Sequence, residues 1–375
     1  MIQQGKRGVV EVQFNWIFIM IAGGLILFFF MTIISYQQQL SKNKLGVELA
    51  SQLELIFSGR GVSPGAKQPI DIADIPIKFD CSEYLVMDQR IASGNVLIFA
   101  PAEVVTKKLM TITMSFDLPM RTNNMIMMTS PAIKYYFVNF GQAQSGSVSE
   151  RIEQLLDFPL APEGEKIDFK FVSVEELGAE TYQNNPFIRF IVHDNDPAVP
   201  LSLALPASFD AVGDETISAV VVNENMIGDE ENLQTSQLFF YQKNGGVWQS
   251  TGSSFTLGFS SFTGAVFAKD GDTFSCLMSR ALRRAKFVVG VSTDRAKQLQ
   301  QAFTPEPGVV VPPEMLQCSV IAAEGAGTLQ QIDAALVATP EGIISINDVD
   351  AFTELLKQLA KTNEEAVLNT CPSLY

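Results

Sequence analysis

The chain has 375 residues, 47% of them hydrophobic and 18% charged, with 41 acidic side chains against 26 basic ones and a formal charge of −15. Its 27 Phe and its apolar content exclude a disordered chain, and its acidity disfavours a nucleic-acid partner, whose phosphates it would repel. A single histidine leaves little room for enzyme classes that depend on imidazole.

Phe14 to Ile34 reads FNWIFIMIAGGLILFFFMTII, without a charge and with Asn15 and Thr32 as its polar side chains. A helix of that length rises about 30 Å, the thickness of bilayer hydrocarbon. Trp16 and Tyr36 stand near its ends, where amphipathic rings prefer to sit. Residues 14–36 therefore read as a transmembrane helix behind a basic leader, 1–13. Lys6 and Arg7 precede the span and Lys42 and Lys44 follow it, so the positive charges nearly balance. A short basic leader before an early span behaves as a signal anchor, which puts the N-terminus in the cytoplasm and the bulk of the chain outside the cell membrane.

Helical periodicity continues through residues 37–58 as a stalk, with Leu45, Leu49, Leu53 and Ile56 on one face and Ser58-Gly59-Arg60-Gly61 as the stop. A continuous helix from residue 12 to 58 would be about 70 Å long and must bury its Leu stripe against the outer domain or another copy. Gly46 is a candidate hinge in it.

Lys6-Arg7-Gly8 before a short polar stretch and an apolar helix resembles the class III signal peptide of archaeal type IV pilins. That resemblance implies cleavage between Gly8 and Val9 and lateral assembly through the helix. The family usually carries Gln after the cut and Glu at the fifth mature position; here those places hold Val9 and Gln13, and the acid is Glu11. Gln13 to Phe18, Leu118 to Pro131 (LPMRTNNMIMMTSP) and Cys371 to Tyr375 are also similar to a group of uncharacterised archaeal single-pass membrane proteins, which implies a surface-facing α/β domain.

Gly/Pro-rich stretches at Ser58–Pro69 and Phe303–Glu314 delimit an outer domain, 70–303, and a C-terminal helical segment, 314–375. Short runs of strand character recur at Asn95–Phe99, Leu109–Phe116, Ile133–Val138, Ile167–Val172, Phe187–Val192, Ile217–Val222, Leu238–Gln242 and Gly264–Ala268. Helical patterns fall at Ser147–Leu156 and Asp272–Phe303. The fold class is mixed α/β, and strands of near-continuous Val, Ile and Phe lean toward a parallel sheet covered on both faces. The second helix carries Arg280, Arg283, Arg284, Lys286, Arg295 and Lys297 beside an apolar face. That concentration reads either as a solvated face or as a dock for an anionic surface. Helices are expected at Thr328–Ala338 and Ala351–Lys361, the latter with Asp350 as N-cap. So short a pair must lean on the main domain or the long helix.

Cys81, Cys276, Cys318 and Cys371 all follow the span, and an even number on an oxidising side points to two disulfides. Three connectivities are open, of which Cys81–Cys276 with Cys318–Cys371 is preferred. His193 ends the run FIRFIV and precedes Asp194 and Asp196, so a weak candidate pocket lies at the strand ends around Asn139, His193 and Asn223. Gly61-Val62-Ser63-Pro64-Gly65 matches G-x-S-x-G, but a helix precedes it and a loop follows, the reverse of a nucleophile elbow. Gly325-Ala326-Gly327 reads as a turn leading a helix rather than a dinucleotide loop. The acidic turns Asp270–Asp272, Asp210–Glu215 and Asp229–Glu231 lack calcium-loop spacing.

These residues predict no cofactor, no metal and no catalytic set. The expected protein is a membrane-anchored envelope protein with a non-enzymatic binding or assembly role, and the bilayer and other envelope proteins or copies of itself are its partners. The alternative is an anchored hydrolase or solute-binding receptor with a pocket near His193.

Overall fold

The computed structural model describes residues 7–60, 63–87, 89–141, 148–158, 166–181, 187–194, 201–223, 235–305, 312–338, 344–346 and 348–375. α1 (Arg7–Arg60) is one uninterrupted helix of 54 residues, about 80 Å long. No proline interrupts its sequence.

Two six-stranded sheets follow. The first is built from β1 (Lys67–Phe79), β2 (Glu83–Val86), β3 (Gln89–Ala92), β4 (Leu97–Phe99), β5 (Glu103–Asp117) and β6 (Arg121–Thr129), in the order β3-β2-β1-β5-β6-β4. Its neighbours are antiparallel except β4 and β6. The second contains β7 (Ile133–Val138), β8 (Asp168–Val172), β9 (Phe187–Asp194), β10 (Ile217–Asn223), β11 (Gln237–Asn244) and β12 (Val247–Phe255), in the order β12-β11-β10-β9-β7-β8. Its four strands β8, β7, β9 and β10 run parallel, in keeping with their largely apolar sequences, and β11 and β12 turn back as an antiparallel hairpin.

The sheets share one core. It holds inner-face residues of both sheets together with α2 (Val148–Leu156), α4 (Gly258–Phe267), α5 (Gly271–Phe303), α6 (Pro313–Ala335) and α7 (Val349–Leu368). Phe274 of α5 touches Phe99 of the first sheet at 5.8 Å between ring centres and Phe240 of the second at 5.4 Å. The far face of the first sheet packs on α1, and the far face of the second is covered by α3 (Val174–Gly178) and the short 3-10 turn Ala207–Ala211.

Several expectations are corrected. Gly264–Ala268 is not a strand: Gly264 to Phe267 close α4, whose residues Ser261 to Phe267 are all buried. A helix enclosed on all sides shows no amphipathic period, so a five-residue apolar run cannot distinguish it from a strand. α6 begins at Pro313 rather than Thr328, and Gly325-Ala326-Gly327 lies inside it. There Gly325 admits the buried Leu374, which a Cβ would meet at 2.4 Å. The N-cap of α7 is Asp348, whose carboxylate accepts from Ala351 N at 3.0 Å, and Asp350 lies in the first turn. The C-terminal helices lean on the main domain, as expected of so short a pair: Leu329, Ile332, Phe352, Leu356 and Leu359 belong to the shared core. A small two-stranded hairpin, β13 (Leu336–Ala338) and β14 (Ile344–Ile346), links them.

Candidate functional site

The first candidate site is the apolar surface of α1 itself. From Trp16 to Ile34 its large apolar side chains are exposed, with Phe18 at 70% and Phe28 at 71%, and the domain covers almost none of them. A helix long and apolar enough to cross a membrane is therefore left uncovered in the folded chain. One helical turn beyond the polar run after Tyr36 the same helix becomes a core element. Leu49, Ala50, Leu53 and Phe57 are buried against Ile77, Phe79, Tyr84 and Val86 of the first sheet, and Phe57 meets Tyr84 edge-on at 5.3 Å. The stripe expected at Leu45, Leu49, Leu53 and Ile56 is rotated slightly, since Leu45 is 41% exposed and Phe57 is the residue that buries. Gly46 is buried within the continuous helix, where a Cβ would lie 3.4 Å from Met87 Sδ.

The strand-end site is formed by the parallel block. After β7 the chain crosses through α2 on the shared-core face, whereas after β8 it crosses through α3 on the opposite face, where Leu177 is buried. The carboxyl ends of β7 and β9 therefore flank a topological switch point, the place where ligands enter open α/β sheets. Asn139 stands there with φ of 64° and donates its N–H to Val172 O at 3.0 Å. His193 faces Asn139 O through Nδ1 at 3.4 Å and stacks obliquely on Phe140 at 5.4 Å. Because a carbonyl can only accept, Nδ1 is the donor in that contact. Nε2 is buried without a partner among the described residues.

The structure brings His193 and Asn139 together, with the backbone of Asn223 paired in register to Asp194. Asp196 lies outside the described residues. Neither of two cavities formed by described residues includes His193. Ser63 to Gly65 lie in a turn between α1 and β1, so no helix follows the serine, and Gly61 and Val62 lie outside the described residues. Gly8 and Val9 are in the first turn of α1.

Both preferred disulfides form: Cys81–Cys276 joins the first sheet to α5, and Cys318–Cys371 joins α6 to the C-terminus. The basic concentration on α5 is partly spent within the fold. Arg280 donates to Cys81 O, Ser93 Oγ and Gly94 O, and Lys286 donates to Asp333 O and Leu336 O at 2.7 and 2.8 Å. Acidic turns are likewise structural, since Asp270 caps α5 through Thr273 N, and Asp214 accepts from Gly246 N and pairs with Lys243 at 3.3 Å. Gly246 above all, then Lys243, holds the Asp214 carboxyl below the usual carboxylate range. Asp229–Glu231 lies outside the described residues. No cluster of three metal-ligating side chains occurs among the described residues.

Arg189 is the residue that sequence reasoning missed. It lies in β9 at 5% exposure, donates from Nη2 to Ala265 O at 3.1 Å and stands over the Phe240 ring at 5.7 Å. Burial lowers its guanidinium to about 10, and its Nε has no partner among the described residues. The signal was available in FIRFIV, a lone charge inside an otherwise apolar strand.

No family model matches the chain, and no curated protein matches it either.

Proposed function

We propose that this chain is a single-pass, membrane-anchored envelope protein that holds a disulfide-stapled α/β domain just outside the bilayer for a non-enzymatic binding or assembly role. The observation that carries this reading is the double character of α1: one helix is bare and apolar over its first half and buried in the first sheet over its second. Leu49 is the first residue of α1 in the core cluster of the first sheet, thirteen positions after Tyr36, so the domain begins about 20 Å beyond the apolar segment. Two disulfides fit an oxidising compartment. His193 has neither a nucleophile nor a carboxylate hydrogen-bonded to it among the described residues, which weighs against the anchored-hydrolase alternative.

A pilin-like subunit is the assembly form of the same reading, supported by Lys6-Arg7-Gly8 ahead of the apolar helix. Cleavage behind Gly8 would leave that helix free to pack against copies of itself in the membrane or a filament. N-terminal sequencing and intact mass of protein from carbonate-washed native membranes and from sheared filaments test both. A start at Met1 or Ile2 in the membrane fraction supports a permanent anchor, and a start at Val9 with recovery in filaments supports assembly. Release of the whole chain by carbonate would contradict the anchor.

A further inference from the structure

The basic side chains of α5 that the fold leaves unused share a face with two bare apolar ones. Arg284, Phe287, Val291 and Arg295 follow one another at spacings of three and four, so they line up along the helix. Phe287 is 73% exposed and Val291 55%, and both arginines are exposed with no carboxylate partner among the described residues. Asp294 offsets one of these charges, and Arg121 of β6 adds another across the groove that Val291 and Arg295 line. An exposed aromatic side chain set between arginines has the composition of a protein contact surface. The lipid around α1 is out of its reach. The same groove includes Pro64, four residues beyond Arg60, and Arg60 lies 24 positions and about 36 Å past Tyr36 along α1. Four residues of chain span at most about 14 Å, so with α1 upright this face stands at least about 20 Å from the headgroups.

The end of α7 carries the opposite mixture. Glu364 and Leu368, the latter 74% exposed, sit one turn apart on the side of the helix away from Ala366, which packs with Cys318 and Ile321 of α6. Val367 is 58% exposed beside them. The helix ends at Leu368, so its negative pole adds to the charge of Glu364, while Lys361 one turn earlier bounds the acidic end. The two patches cannot meet within one molecule. Lys286, next to Phe287, is bonded to Asp333 O near the end of α6, whereas a disulfide ties the segment after α7 to Cys318 near its start, 15 positions and about 22 Å away.

We infer that the outer domain associates head to tail with a second copy of itself, the Arg284, Phe287, Val291 and Arg295 face of one copy meeting the Glu364, Val367 and Leu368 end of α7 in the next. This rests on the assembly reading above and names the surfaces that carry it. Charge favours a second copy as the occupant, because a chain of formal charge −15 is acidic over most of its surface and draws a basic face toward it. Apolar side chains on both patches then leave water together. Two different surfaces make a heterologous contact, which repeats from copy to copy into a ring or an open row. Copies held in one membrane by α1 meet at a high effective concentration, so a contact of modest area is enough.

The test uses the full chain in liposomes, mixed from light and heavy-isotope-labelled protein, with Phe287 replaced by the photoreactive p-benzoylphenylalanine. Irradiation is expected to join position 287 to residues 361–368 in peptide pairs that combine one light and one heavy copy, with a lower yield at high salt. Arg284→Glu with Arg295→Glu should cut that yield at least about tenfold, and Glu364→Arg should do the same. All three changes together should recover most of it, which separates a lost contact from a lost fold. Melting temperatures should stay unchanged, since all three positions are exposed. Cross-links confined to lipid, to one copy or to other parts of the chain overturn the inference, as does a yield that the charge reversals leave intact. Carbonate extraction of the same liposomes keeps the two readings apart. A retained chain without these cross-links overturns the head-to-tail contact alone, whereas a released chain overturns the anchor.

Discussion

Gly271 opens α5 against the backbone of Gly252 in β12, so close that a Cβ on Gly271 would lie 2.8 Å from Gly252 Cα. Gly252 itself sits at φ 130°, beside the register shift between Phe240 and Tyr241, a conformation that side chains with a Cβ rarely adopt. Gly271→Ala is therefore expected to cost about 1–3 kcal/mol, read as a lowered melting temperature of the detergent-solubilised full chain. Tyr84 is buried under α1 with its hydroxyl unpartnered among the described residues, and burial, aided by Glu54, pushes the phenol up to about 12. A folded value above the unfolded value of about 10 means that its contribution to stability is complete below pH 10 and is lost as pH rises toward 12. Tyr84→Phe should remove the unsatisfied hydroxyl, raise stability by about 1 kcal/mol and lessen that alkaline loss, as followed by urea unfolding at pH 8 and pH 10.5. Neither the Gly271 contact nor the Tyr84 hydroxyl was legible in the sequence, because both depend on strands and helices far apart in the chain. His193 was legible as a strand terminus, whereas its union with Asn139 required the parallel order of β7 and β9.

Long periodic elements were read correctly and enclosed ones were not. α1 announced itself through an uncharged stretch followed by a Leu repeat, and the Val/Ile/Phe runs of β7 to β10 announced a covered parallel sheet. α4 and the first half of α6 stayed hidden, because a buried helix has no polar face to set a period. β1 and β2 were missed for a different reason: they alternate weakly, and Pro69 and Pro76 within β1 mimic a linker. The junction between α1 and the first sheet makes a prediction of its own. Leu53→Ala, at a fully buried position, should cost about 2–5 kcal/mol and speed hydrogen exchange across residues 46–57, whereas Leu55→Ala, at 75% exposure, should stay within about 0.5 kcal/mol. Replacing Cys318 and Cys371 together by Ser should cost about 2–4 kcal/mol and loosen the end of α7, with exchange in the first sheet unchanged.

As a molecule, the chain is an apolar rod fused to a five-layer domain: α1, first sheet, central helices, second sheet and outer cover. A single continuous helix serves both parts, so the proposed anchor would hold the domain at one height above the lipid. The proposed anchor role requires that the domain and its two disulfides lie outside the cytoplasm. Lysine acylation of sealed, intact cells with a membrane-impermeant reagent tests this most directly, with peptide mapping by mass spectrometry. The exposed Lys107, Lys297 and Lys361 all lie in the domain. Their modification in unbroken cells, with Lys6 modified only after lysis, is the predicted result; protection of all three until the membrane is opened would contradict the account.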